Sequence, residues 1–149
     1  MSFRVLKIKE IKEEIYKIYG IKNIKIIYAY LNEGFAAMAY VEDGIKKIEI
    51  DKKTITKYKC PIFVQLSVLY HEIGHFATTD WSKNNISYSA LCELNAHLWA
   101  IEASKKQGNK RVYFQLIKEL NSWQRFEKIK THNCYYKAYK MAVKKGIIK

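Results

Sequence analysis

Two histidines four residues apart, with a glutamate directly after the first, stand in the stretch Tyr70-His71-Glu72-Ile73-Gly74-His75-Phe76. On a helix, positions i and i+4 share a face, so His71 and His75 can present ring nitrogens to one cation. Zn²⁺ accepts imidazole nitrogen at roughly 2.0–2.1 Å, and a catalytic site joins three protein ligands to an open position for water. Glu72 falls about 100° further round the helix, off the ligand face. There it can take a proton from a water that the ion has acidified toward a pKa of about 7. His71-Glu72-Ile73-Gly74-His75 is therefore a His-Glu-x-x-His zinc signature with its chemistry attached.

One turn of helix cannot close such a shell, so a third Asp, Glu, His or Cys has to come from elsewhere. Past the motif stand Asp80, Glu93, His97 and His132. Glu93 is favoured by its setting, because its helix face also holds Ala96, His97 and Ala100 at i+3, i+4 and i+7. Small alanines there let that helix pack closely on the histidine helix, and a carboxylate on a face built for packing needs a partner. His97, one turn from Glu93, is the runner-up ligand, or else it stands behind the shell or polarises a substrate carbonyl. Asp80 is the weaker ligand and can orient His71 or His75 through the outer ring nitrogen. Tyr70, Tyr88 and Tyr113 each offer a hydroxyl to a developing oxyanion, and spacing does not choose among them.

The elements that must position these residues follow from hydrophobic period. Val5, Leu6, Ile8, Ile11, Ile15, Ile18 and Tyr19 recur at helical spacing ahead of Gly20, which predicts a helix over roughly 3–19. Ile24, Ile26 and Tyr28 alternate with their neighbours and predict a strand at about 22–30. Asn32-Glu33-Gly34 is a turn, and residues 35–41 read as a second strand. Asp43-Gly44 is a hairpin signal between that strand and residues 45–51. These predict a three-stranded antiparallel meander, its charged third strand suited to an exposed edge. A polar connection at 51–59 leads to Pro61, placed for the first turn of a helix over about 61–77 that is apolar all round and so buried. Gly74, costly in mid-helix, implies that another backbone passes close by.

A loop follows, and Ser87 or Ser89 caps a third helix running to Gly108. Two more helices are expected at about 110–129 and 132–145. The fold class is α+β, a single domain over 1–149: an N-terminal helix, a three-stranded antiparallel sheet, the His-bearing helix, the Glu-bearing helix and two C-terminal helices.

A 149-residue chain with 49% hydrophobic residues holds enough apolar material for a core. No apolar run approaches a membrane span, and the N-terminus is charged too early for a secretory signal, so a cytoplasmic location is expected. Cys60, Cys92 and Cys134 are odd in number and widely spaced, as reduced thiols would be. The net charge is +13, of which residues 1–75 carry +4 and residues 76–149 carry +9. A basic second half suits contact with nucleic acid or an acidic partner. Yet only Arg4, Arg111 and Arg125 carry the planar fork favoured for phosphate and base recognition; every other cation is a lysine.

With these residues in view, His71-Glu72-Ile73-Gly74-His75 followed by Glu93-x-x-Ala96-x-x-Trp99-Ala100 resembles the gluzincin pattern of small ImmA/IrrE-type metallopeptidases. Through Glu93-Leu94-x-Ala96 it is also similar to the metallopeptidase domain of ArdC-type antirestriction proteins. The resemblance covers about residues 60–103. It implies a minimal zincin-like fold, Zn²⁺ on His71, His75 and Glu93, Glu72 as general base, and a protein or peptide substrate. His97 stands where ImmA-type proteins tend to carry Asn. Thr78 and Trp81 occupy the places of the metzincin Gly and third His, which excludes that pattern, and Thr79 likewise removes the third His of SprT-like proteases. The competing expectation is a non-catalytic, basic module on the same scaffold that binds nucleic acid or a partner protein.

Overall fold

A computed structural model describes residues 3–31, 36–79, 89–129 and 133–148. The chain begins extended and enters helix α1, Ile8–Tyr19, at Lys7, whose N–H donates to the Glu10 carboxylate at 3.0 Å. Ile11 and Ile15 face the core, and Gly20, in the left-handed region at φ 72°, ends the helix. Helix α1 thus starts five residues later than its apolar period suggests. The backbone of residues 4–6 is engaged elsewhere: Leu6 N–H donates to Gln65 Oε1, Gln65 Nε2 donates to Arg4 O, and the Tyr28 hydroxyl donates to Leu6 O.

Strands β1 (Ile24–Ala29), β2 (Ala37–Glu42) and β3 (Ile45–Asp51) form one sheet in the order β1-β3-β2. The hairpin between β2 and β3 stands as expected, with Asp43 and Gly44 both at positive φ, 52° and 75°. The expected antiparallel meander does not: β1 runs parallel to β3, Ile26 opposite Ile48, and β3 is the central strand rather than an exposed edge. Its charge misleads because strand side chains alternate between faces. Ile48 and Ile50 enter the core, whereas Lys47 and Glu49 project from the other face, bonded to Glu42 at 2.6 Å and to the Tyr40 hydroxyl at 2.8 Å.

The stretch expected as a polar connection holds a short helix, α2 (Lys52–Lys57). Asp51 caps it by accepting from Lys53 N and Thr54 Oγ1, and Ile55 anchors it in the core. Helix α3, Ile62–Thr78, is buried on nearly every side. It packs on α4, Ala90–Lys106, whose first turn is capped by Ser89 Oγ accepting from Cys92 N. Gly74 sits at their closest approach, where a Cβ would stand 2.2 Å from the Ala96 carbonyl oxygen, so only glycine fits.

Helix α5 spans Lys110–Ser122 and α6 spans Asn133–Lys144. The helix expected to run to 129 stops at Ser122, and Trp123–Phe126 continue as a 3₁₀ turn that turns Trp123 into the core. The α+β layout is otherwise as the sequence implies. Among the described residues no helix is long and apolar enough to cross a membrane.

Candidate metal centre

Helix α3 is apolar enough to be buried, and apart from Gln65 and Glu72 its buried polar residues recur along one side. Ser67, His71 and His75 follow at i, i+4 and i+8, a stripe that meets side chains of α4 and α5. The His71 and His75 rings lie 4.9 Å apart, nearly perpendicular. Glu93 enters from the first turn of α4, where the helix N-terminus favours a carboxylate. It is 1% exposed, with Oε2 2.9 Å from His71 Nε2 and Oε1 3.4 Å from His75 Nε2.

Those separations have a chemical meaning. Ligand atoms on a tetrahedral ion at 2.0–2.1 Å stand about 3.3 Å from one another. Each imidazole nitrogen therefore stands from its own oxygen of Glu93 at about the separation of two ligands on one ion. Glu72 flanks the pair: among the described residues His71, Glu72 and His75 form a group whose ligand atoms all lie within 4.8 Å, and this group could hold a metal ion. Mutual proximity selects Glu72, whereas direct bonding to both rings selects Glu93. Glu93 sets one oxygen against each imidazole nitrogen.

The electrostatics are those of a buried, mutually dependent cluster. Burial works against charge on His71, but the hydrogen bond and charge of Glu93, then Glu72 and Glu119, outweigh it and hold the ring's pKa up at about 9. Burial likewise opposes ionisation of Glu93, and the two imidazoles overcome it, leaving the carboxyl well below the usual range. Glu72, 7% exposed, is pushed up by burial, with His71, His75 and the Ala39 backbone N–H pulling the other way. Burial and then the charge of His71 push His97 down to about 3.

His97 lies behind His71, not between the ligands. Its Nδ1 is 2.9 Å from His71 Nδ1, and its Nε2 is 2.7 Å from the Leu116 carbonyl oxygen. Trp123 covers both rings, at 4.7 Å from His97 and 6.1 Å from His71. Asp80, Tyr88 and His132 lie outside the described residues. Tyr70 is fully buried, and burial with the charge of Glu14 raises its hydroxyl pKa to about 12, while Tyr113 packs edge-on to Phe114. Neither shares in the His71, His75 and Glu93 contacts.

Several participants carry no recognisable sequence signal. The Leu116 carbonyl and Trp123 are two of them. Glu119, its pKa raised by burial, accepts from Ser67 Oγ at 2.6 Å and Gln115 Nε2 at 3.2 Å, one turn below His71. Its signal is present in the polar stripe of α3, which asks for a polar counterpart wherever another helix crosses it. The edge of β2 is a further one. Asp51 N donates to Ala36 O, so Ala36, Met38 and Tyr40 exchange bonds with β3, and Ala37, Ala39 and Val41 turn their N–H and C=O toward the open edge. That edge, on the strand that packs against α3, brings the Ala39 N–H to Glu72.

No protein-family model, curated protein or solved structure matches this chain, so the reading of the site rests on its own geometry.

Proposed function

We propose that this chain is a zinc-dependent peptide hydrolase, with the ion on His71, His75 and Glu93 and with Glu72 as general base. One observation carries the reading: a buried carboxylate from α4 lies within 2.9 and 3.4 Å of two imidazoles from α3. Two imidazole nitrogens and one carboxylate oxygen are a donor set suited to Zn²⁺, and three protein ligands leave one position open. When bound, the ion would supply Lewis-acid polarisation of the scissile carbonyl and acidify the attacking water.

The remaining work falls to the chain's own side chains. Glu72 stands beside the ligand pair, placed to take the proton of the attacking water and return it to the leaving amine. With the Ala39 N–H taken by Glu72, the outward groups of Ala37 and Val41 on the same edge would pair with an extended peptide, which favours a protein or peptide substrate laid along β2. Such a shell would be that of a minimal gluzincin, the group whose His-Glu-x-x-His and downstream Glu the sequence resembles.

The test is zinc content with peptide hydrolysis. Wild type should hold about one zinc per chain, His71→Ala should lose it, and Glu72→Gln should keep it while hydrolysis of a random peptide library falls at least about 100-fold. Undiminished turnover in Glu72→Gln, or a wild type without zinc, defeats the proposal. The net charge of +13 favours a second reading, a nucleic-acid-binding module. That reading requires DNA or RNA binding that weakens steeply with salt.

A further inference from the structure

His97 is 1% exposed, and both of its ring nitrogens are engaged. A carbonyl oxygen only accepts, so the 2.7 Å contact with Leu116 O places a proton on His97 Nε2. The other nitrogen, Nδ1, stands 2.9 Å from His71 Nδ1, and two ring nitrogens at that distance share a single proton. Were that proton on His97, the ring would be a buried cation facing one neutral carbonyl, an arrangement that costs heavily. On His71 the same proton is donated to an unprotonated His97 Nδ1, and no buried charge is stranded. The order is therefore Leu116 C=O, His97 Nε2–H, His97 Nδ1, then the Nδ1–H of His71.

This order determines what His71 can offer. Without metal, His71 Nε2 donates to the Glu93 carboxylate; an ion would displace that proton, and a ring that keeps its other proton on Nδ1 then presents the Nε2 lone pair beside Glu93. The opposite tautomer would put a hydrogen where an ion must bind. Trp123 packs on both rings and limits their rotation. We propose that His97 is a positioning residue that fixes His71 in its metal-binding tautomer, through a proton order anchored at the Leu116 carbonyl, and is itself no ligand. The proposal rests on the reading of His71 as a ligand.

Zn²⁺ affinity, measured by competition with a chromophoric chelator, and ¹⁵N NMR of histidine-labelled protein test it together. His97→Leu removes the acceptor and should weaken Zn²⁺ binding 10- to 100-fold, the usual loss for an outer partner of a ligating histidine. His97→Asn keeps an acceptor oxygen near the place of Nδ1 and should recover most of that loss. In wild type, with and without Zn²⁺, the His71 Nδ1 resonance should be of the protonated type, with His97 protonated on Nε2 alone. Should His97→Leu fail to fold, the wild-type spectra and the asparagine variant decide between the two proton orders. Wild-type affinity in His97→Leu, no recovery in a folded His97→Asn, or an unprotonated His71 Nδ1 overturns the positioning role while leaving the metal site intact. A wild type that binds no Zn²⁺ overturns both.

Discussion

Gln65 and His71 are buried on the same helix, six residues apart, and serve opposite ends. Gln65 directs its amide at backbone: Oε1 takes the Leu6 N–H, and Nε2 gives to the carbonyls of Arg4 and Cys60 at 2.8 and 2.9 Å. Its partners are fixed, neutral and far apart in sequence, so the residue fastens the chain's start to α3. The groups around His71 satisfy one another instead. His75, Glu93 and His97 are all side chains, their lone pairs converge, and two of them are carried on a second helix. A buried polar side chain bonded to backbone holds a fold together; a buried cluster of side chains bonded mainly to each other is a place where something else can bind.

The contrast is broken most severely by exchanging which region is damaged. Glu93→Gln keeps the shape and loses the anionic donor. Its Zn²⁺ affinity should fall by more than the about 100-fold typical of a lost outer partner. The metal-free protein should lose less stability in urea than Gln65→Leu does, since an amide still bonds one ring and His71 can shed its proton. Gln65→Leu should do the reverse. It strands one N–H and two carbonyls, at about 1–3 kcal/mol per buried group, so the urea midpoint should drop by the equivalent of about 3 kcal/mol or more, with Zn²⁺ affinity unchanged in the folded fraction. If Glu93→Gln unfolds the protein as readily as Gln65→Leu, the cluster is a fastener too.

What can be read in the sequence divides along the same line. The His71 and His75 pair is local, and helical period alone puts both rings on one face. Gly74 announces a close backbone, and the alanines beside Glu93 announce the same contact from the other helix; the two meet at Gly74 and Ala96. Non-local choices are not legible. Alternation in Ile45–Asp51 fits a central strand as well as an edge, and nothing in β1 says that it pairs with β3 rather than β2. The late start of helix α1 is hidden as well, because the group that holds Leu6 extended lies 59 residues onward. His97 is equally ambiguous, since ligand and supporting residue share one helix face with Glu93, and only the Leu116 carbonyl distinguishes them.

Gly74 gives a smaller break that acts on the site through packing alone. In Gly74→Ala the new methyl meets the Ala96 backbone, which belongs to α4 and cannot rotate aside. Overpacking of this kind costs about 1–3 kcal/mol. Helix propensity returns less than about 1 kcal/mol of it, because alanine is the better helix former. Because α4 also carries Glu93, the displacement should lower Zn²⁺ affinity as well as the melting temperature, and the two should fall together. A Gly74→Ala protein as stable as wild type would mean that α3 and α4 are not held at this distance.

The mildest break lies at Arg4, where one residue is fastened twice, through its carbonyl to Gln65 and through its guanidinium to Glu10 at 2.7 and 2.8 Å. The Arg4 hydrogen bond and the Lys7 N–H hold the Glu10 carboxyl down at about 2, against an ordinary value of 4.5. A carboxyl depressed on folding lends stability above its unfolded pKa and loses it as pH falls through the folded one. Arg4→Met should therefore be slightly less stable than wild type above pH 4.5, and the difference should close between pH 4.5 and about 2. The pair is solvent-exposed, so the gap should be small and should narrow in salt at about 1 M. Gln65→Leu, whose lost partners are neutral, should keep its deficit across the same range. A deficit in Arg4→Met that persists at about pH 2 would mean that the side chain, like the carbonyl, is held by packing rather than by charge.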